Sequence, residues 1–254
     1  MKKINHHIFR LFLVVALMSV MTPVSAQIGE HRNTFAVGGN AGYILSNVGF
    51  VPTVAQGLHG GPTAGFSWRY TCEKYFSTIC SIYGEVNYAS IGWKENIVDI
   101  NDTKVVDATT GNPQEYSRTI NYVQVPVMAH LAWGKENRGL NFFVNAGPQF
   151  GYYLSESSSY NFDLNQEIER IKNGTSQRSS SIYAQDTMQV KNKLDYGIAA
   201  GLGLEYSVPK VGHFMLTARY YYGLGNIYGS RKRDAFSKSN HGNIVIKATY
   251  LIDL

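Results

Sequence analysis

Ten polar residues stand where they could act together: Arg69, Glu85, Asn87, Gln124, His130, Asn145, Gln149, Glu205, Arg219 and Lys247. Three are basic, two acidic, four are amides and one is an imidazole. All fall on the polar side of alternating segments, so a fold that turns those sides inward gathers them in one interior. Two carboxylates confined with three cations should pair, because an isolated buried charge is costly. The set then reads as a salt-bridged amide network that closes the interior. A hairpin turning near Pro209–Lys210 sets Glu205 opposite Phe214 and away from Arg219, so Arg219 is expected to reach Glu85 or another interior acid across the ring, with Lys247 in the same network. The competing reading is a polar conduit for protons or solutes, although no run of carboxylates suggests ion selectivity.

Other chemistries find less support. His59, His130, His213 and His241 lie far apart and lack metal-ligand spacing. His130 is expected to be a hydrogen-bonding interior residue, and His59 and His241 to be loop residues. No Ser is placed beside a fixed base, as nucleophilic hydrolysis requires. Gly201-Leu202-Gly203 sits inside a strand pattern with no helix after it, so it is not a phosphate loop. Asn101-Asp102-Thr103 and Asn173-Gly174-Thr175 match the glycosylation sequon without further support. No enzyme, cofactor or metal is expected. Cys72 and Cys80 are the only cysteines. A hairpin centred on Phe76 places them opposite each other, within reach of a cross-strand disulfide, the alternative being two unpaired thiols.

The elements that position these residues are strands. From His213 to Tyr228, Phe214, Leu216, Ala218, Tyr220, Tyr222 and Leu224 alternate with Met215, Thr217, Arg219, Tyr221, Gly223 and Gly225. From Asn243 to Leu254, Ile244, Ile246, Ala248, Tyr250 and Ile252 alternate with Asn243, Val245, Lys247, Thr249 and Leu251. Successive strand side chains point to opposite faces, so one face is apolar and the other carries charge and glycine. Eight such segments are predicted: Phe35–Leu45, Gly61–Thr71, Phe76–Trp93, Arg118–Trp133, Leu140–Leu154, Lys191–Tyr206, His213–Tyr228 and Gly242–Ile252. Short turns near Glu73–Tyr75, Gly134–Gly139 and Ser207–Gly212 alternate with long polar connections, the longest being Ser155–Val190. An even strand number with short turns at every second connection is the plan of an outer-membrane barrel, with short periplasmic turns and long outer loops. The predicted fold is therefore all-β, an eight-stranded antiparallel up-and-down transmembrane β-barrel, preferred over a soluble sandwich.

The start of the chain agrees. Lys2, Lys3 and Arg10 precede an apolar run from Leu11 to Val20, then Pro23 and the small residues Val24-Ser25-Ala26. That pattern predicts a signal peptide over residues 1–26 and one barrel domain over 27–254. The run is short of the ~20 residues a spanning helix needs. A mean hydropathy of −0.18 with 44% hydrophobic residues excludes a helical membrane bundle, while 18 Tyr and 25 Gly suit strands with aromatic girdles. Without Lys2, Lys3 and Arg10 the count is 20 basic against 18 acidic residues, so no nucleic-acid partner is inferred. Arg231, Lys232 and Arg233 form a basic tip on the last outer loop that would suit lipopolysaccharide or a partner, with a solvated loop as the plain alternative.

Four stretches carry a family resemblance: Tyr122–Val127 (YVQVPV), Asn145–Leu154 (NAGPQFGYYL), Leu194–Tyr206 (LDYGIAAGLGLEY) and Arg219–Ile227 (RYYYGLGNI). In this order they resemble the strand signatures of the PorT-like outer-membrane β-barrel family of Bacteroidota, over essentially the whole mature chain. The resemblance implies the outer membrane of a Gram-negative bacterium, contact with lipid and lipopolysaccharide, and insertion by the barrel assembly machinery. One departure is the end, Ile252-Asp253-Leu254, where many such barrels finish on an aromatic residue. In the family's best-known branch the role is in protein secretion, which implies an envelope or secretion partner for the long loops. A small porin-like channel or carrier is the alternative.

Overall fold

The computed structural model describes residues 29–107, 110–136, 138–232 and 234–254. The expected signal peptide and Arg233 of the basic tip lie outside the described residues. His31–Leu254 forms one unit. Its strands, in chain order, are β1 (Glu30–Val51), β2 (Gln56–Gly57), β3 (His59–Tyr75), β4 (Thr78–Glu95), β5 (Tyr116–Trp133), β6 (Gly139–Tyr160), β7 (Leu194–Val208), β8 (Gly212–Gly223) and β9 (Lys238–Asp253). Two helices, α1 (Leu164–Lys172) and α2 (Ala184–Thr187), lie between β6 and β7.

Eight long strands form an antiparallel up-and-down ring in the order β4-β3-β1-β9-β8-β7-β6-β5, closed by a further β4–β5 ladder. Closure satisfies the wall's backbone polar groups without water, which is what a strand inside a bilayer requires. The ninth strand, β2, is a two-residue annex beside Lys94 and Glu95 of β4, unforeseen in the sequence. Three tight connections, Tyr75 to Thr78, Trp133 to Gly139 and Val208 to Gly212, sit at one end of the ring. Gly212 is required there: its φ is +135° and an added Cβ would stand 2.3 Å from the Leu251 carbonyl oxygen.

The outer wall is apolar. On β7 the outward Tyr196, Ile198, Leu202, Leu204 and Tyr206 are each about half exposed. The ten steps from Tyr196 to Tyr206 rise about 33 Å along the strand, or about 25 Å across the membrane at the usual tilt. That equals the height of a barrel's lipid-facing band. Stacked pairs Trp133–Phe142 and Phe214–Tyr250 mark the girdle at the turn end.

Polarity inverts along single strands. On β5 the outward residues run Trp133, Leu131, Ala129, Val127, Val125, Val123 and then Asn121, Thr119, Ser117, while the buried ones change from His130 and Gln124 to Tyr122, Ile120 and Tyr116. On β4, Glu85 and Asn87 give way to buried Ala89, Ile91 and Trp93. Above the level of Tyr122 the ring therefore has the polarity of a water-soluble protein, with an apolar core of Phe50, Trp93, Ile120, Tyr228 and Phe236. The strands continue out of the membrane as a folded head.

Four expectations are corrected. Ser155–Val190 is not an open loop: β6 runs on to Tyr160, α1 is capped by Asp163 accepting from the Gln166 amide at 3.1 Å, and α2 is partly buried. The seventh strand stops at Gly223 instead of Tyr228, whose side chain enters the head's core. His59 and His241 are not loop residues; His59 opens β3 and His241 is buried on β9. Cys72 and Cys80 are free thiols. A register shift between Thr71 and Glu73 inserts one residue, so the ladder sets Glu73, not Cys72, opposite Cys80.

The inversion is testable on one strand. Val127→Arg, in the lipid belt, should cost roughly 2–4 kcal/mol near the bilayer midplane, as should Leu216→Arg. Ser117→Arg, outward on the head, should stay within about 0.5 kcal/mol of wild type. Heat-modifiable gel migration after refolding reads the folded fraction; equal losses in all three would refute the placement of the boundary at Tyr122/Val123.

Candidate functional site

The interior holds three polar layers, and the deepest is built on Glu85. Arg219 donates to it through two parallel bonds, Nη1 to Oε2 and Nη2 to Oε1, both 2.9 Å, and Lys247 Nζ donates to the same Oε2. Asn87 Nδ2 adds a fourth donor at 2.7 Å, and Asn40 Nδ2 ties Asn87 Oδ1 (2.8 Å) to Ser67 Oγ (2.7 Å). A carboxylate with this many charge-assisted donors is compensated for leaving water. The strands bring these groups together by reach across the ring, since β4 pairs with neither β8 nor β9.

A second layer lies toward the turn end. Arg69 Nη1 donates to Glu205 Oε2 at 2.7 Å, and His213 Nδ1 is 2.7 Å from Glu205 Oε1. Glu205 stands opposite Met215, the turn spanning Val208 to Gly212. His130 is not the hydrogen-bonding residue expected: it is fully buried between Tyr83 and Phe143, with Nε2 3.9 Å from Glu205 and neither nitrogen hydrogen-bonded. Gln124, Asn145 and Gln149 are buried inside, and the Gln124 Nε2 and both Asn145 amide atoms lack a partner there. Beside this layer a polar cavity of about 20 Å³ is lined by Arg69, Ser81, His130, Asn141, His213 and Asp253. It is large enough for about one water.

This layer contains a Ser–His–Asp arrangement that sequence reasoning missed. Ser207 Oγ is 2.8 Å from His213 Nδ1, and His213 Nε2 is 3.1 Å from both Asp253 oxygens. The hydroxyl is also 3.1 Å from Glu205 Oε1 and only 2% exposed. A nucleophile must reach a substrate carbonyl, and nothing larger than a water fits here. The arrangement works as an ionic clasp between β7, β8 and β9. Spacing alone gave no signal for it, because Ser207 and His213 meet only across the turn.

The third layer binds the β6–β7 connection to the barrel mouth. Arg118 holds Glu156 (Nη2 to Oε2, 2.7 Å) and donates from Nη1 to the Gln185 carbonyl at 3.1 Å. Tyr116 OH donates to the Asp186 carbonyl, and Gln185 Nε2 to Glu95 Oε1 at 2.8 Å. Arg178 lies 3.6 Å from Glu167 and Asp186 and 4.0 Å from Glu95. Arg118 was legible as the first residue of a strand, but without the inversion its inward, outer-end position was not. The Arg231–Lys232 part of the basic tip is exposed. Among the described residues no cluster of three His, Cys, Asp or Glu could hold a metal.

Glu85→Gln should strand two cations in a low-dielectric interior and lower stability by about 3–5 kcal/mol. Arg219→Gln added to it should recover part of that loss, measured as the unfolding midpoint in detergent. Strict additivity would show that the two do not interact.

The cap should also respond to pH. Burial first, and the Glu95 carboxylate second, push the Asp186 pKa up to about 8. The docked cap therefore keeps a proton that a free Asp loses above about pH 4, so docking weakens as pH rises from about 4 to 8 and levels off beyond. Hydrogen exchange at Ala184–Thr187, corrected for intrinsic rates, should be faster at pH 9 than at pH 5. Asp186→Asn should flatten that difference; a profile already flat in the native chain would contradict the assignment.

No curated protein matches the chain. Among solved structures, the attachment invasion locus protein Ail of Yersinia pestis is similar at 13% identity, over 88% of this chain and 99% of its own, with a TM-score of 0.34. OprG of Pseudomonas aeruginosa is similar at 10% identity, over 89% of this chain and 98% of its own, with a TM-score of 0.41. The outer membrane enzyme PagL is similar at 11% identity, over 84% and 98%, with a TM-score of 0.35. The family profile described as Outer membrane protein beta-barrel domain matches residues 25–229. The chain belongs to that family, and with an apolar-walled ring of eight strands it is a β-barrel of the Gram-negative outer membrane.

Proposed function

We propose that this barrel is a non-conducting, non-enzymatic envelope component whose folded outer head meets a partner, and that its specific kinship is PorT-like, with the secretion link that kinship carries. The observation behind this reading is the filled interior. Arg219, Glu85 and Lys247 bridge the ring at membrane depth, and Phe50, Trp93, Tyr228 and Phe236 pack it above. An eight-stranded barrel is just wide enough for side chains to fill, so a solute path would have to break both layers. The head then carries the function, since it presents shaped, ordered surface to the outside. A nucleophile buried as Ser207 is argues against hydrolysis inside the barrel. Lipid, lipopolysaccharide and the barrel assembly machinery complete the proposed partners.

Planar-bilayer recording of the purified barrel should show near-zero conductance at neutral pH. Stepwise openings in the wild-type protein would replace this reading with the channel or carrier.

A further inference from the structure

Above the membrane one strand of the ring has a partner on one side only. β6 pairs with β5 as far as Tyr116↔Tyr160, whereas its ladder with β7 ends at Tyr152↔Leu194. A single bond, from the Tyr153 N–H to the Lys193 carbonyl at 2.8 Å, extends that ladder. Beyond it, among the described residues, no main-chain bond reaches the β7-facing edge of Leu154–Tyr160, the Val190 N–H donating instead to the inward Glu156 carboxylate at 3.3 Å. Six of these seven residues are exposed, Glu156 being half-buried. Unpaired strand edges recruit other strands, and sheets usually blunt them with proline, lysine or a bulge. This edge contains neither proline nor lysine, and its register irregularity lies at its start, opposite Tyr122.

We propose that the Leu154–Tyr160 edge is a docking strand for an extended segment of a water-soluble polypeptide on the outer side, which adds beside β6 as a further strand. The inference rests on the partner-binding reading above and names the surface. Strand addition draws affinity from main-chain bonds and specificity from alternate side chains. Ser155, Ser157 and Ser159 face outward beside the hydroxyls and amide of Ser117, Thr119 and Asn121, with Asn121 Nδ2 donating to Ser155 Oγ at 3.0 Å. Inward, Glu156 is taken by Arg118, and Ser158 Oγ lies 3.2 Å from Tyr116 OH. The edge thus offers no unpaired charge, and the fitting segment is uncharged and rich in hydroxyl or amide side chains, which pair across strands.

Two other occupants are disfavoured. Two copies in one membrane, related by an axis along its normal, would cross their β6 strands at about twice the tilt, roughly 70–90°. No ladder forms at that angle. The chain's own 161–193 connection turns instead over the mouth, where Tyr116, Arg118 and Tyr228 hold Gln185 and Asp186.

The test uses the full mature barrel in lipid nanodiscs and a fluorescent seven-residue peptide of alternating threonine and asparagine. The peptide should bind saturably and slow hydrogen exchange at the β7-facing amides of Leu154–Tyr160, which should exchange freely without it, the alternate amides being held by β5. Ser157→Pro and Ser158→Pro each delete one N–H, and alternate N–H groups of a strand face opposite neighbours. The variant whose N–H faces the edge should weaken binding at least tenfold while keeping heat-modifiable migration. Protection of the β7-facing amides of Leu154–Tyr160 in the barrel alone, absence of added protection there by the peptide, or equal binding by both folded proline variants would each overturn the proposal. Conductance reports on the filled barrel separately, so failure of that reading is told apart from failure of this one.

Discussion

Everything in this molecule follows from closing a sheet on itself in a medium that cannot hydrogen-bond. With lipid outside, the apolar half of each alternating strand must face out, and the polar half is forced into a space only wide enough for side chains. Charge placed there cannot be solvated by bulk water, so it must be neutralised in place. Glu85 does this for two cations from strands that β4 never touches, and the network sets how β4, β8 and β9 face one another across the ring. Small residues opposite make room: a Cβ on Gly203 would lie 2.4 Å from the Phe143 ring.

Where lipid ends, the constraint reverses within the same strands. Water outside now favours Ser117, Thr119 and Asn121 on the wall, and the interior takes Tyr116, Ile120 and Tyr122. The head is thus an ordinary soluble sheet core joined without a break to a membrane barrel. Its apolar packing gives the β6–β7 connection a floor, and the buried ion pair of Arg118 with Glu156, together with Arg178 beside Glu167, Glu95 and the protonated Asp186, fixes where that connection lands. Buried ion pairs of this kind contribute more to geometry than to net stability, which suits a surface that must hold one shape.

Function follows from this division. The membrane section is occupied by its own side chains, and the clasp of Glu205, His213, Ser207 and Asp253 at the turn end shares catalytic residue types but buries its hydroxyl. Depth of burial, not identity, separates a clasp from an active site. On the proposed reading it is the head that meets another molecule, because its backbone edges and loop surfaces are open to water.

The sequence by itself determined the eight wall strands and the inward residues of their membrane sections, because a period of two is a local property that survives any tertiary arrangement. Arg219 and Lys247 were legible as interior cations from Thr217, Thr249 and their apolar neighbours alone. The sequence pointed Arg219 to Glu85 or another interior acid, and the tertiary structure decided that Glu85 is that acid, since the two stand 134 positions apart and touch only across a closed ring. It also decided that His130 packs between aromatic rings and that an inserted residue shifts Cys72 out of register. The long connection became a cap for the same reason: its composition reads as loop, and only the apolar floor beneath it, assembled from β1, β4, β5 and the β8–β9 loop, gives its helices something to fold against.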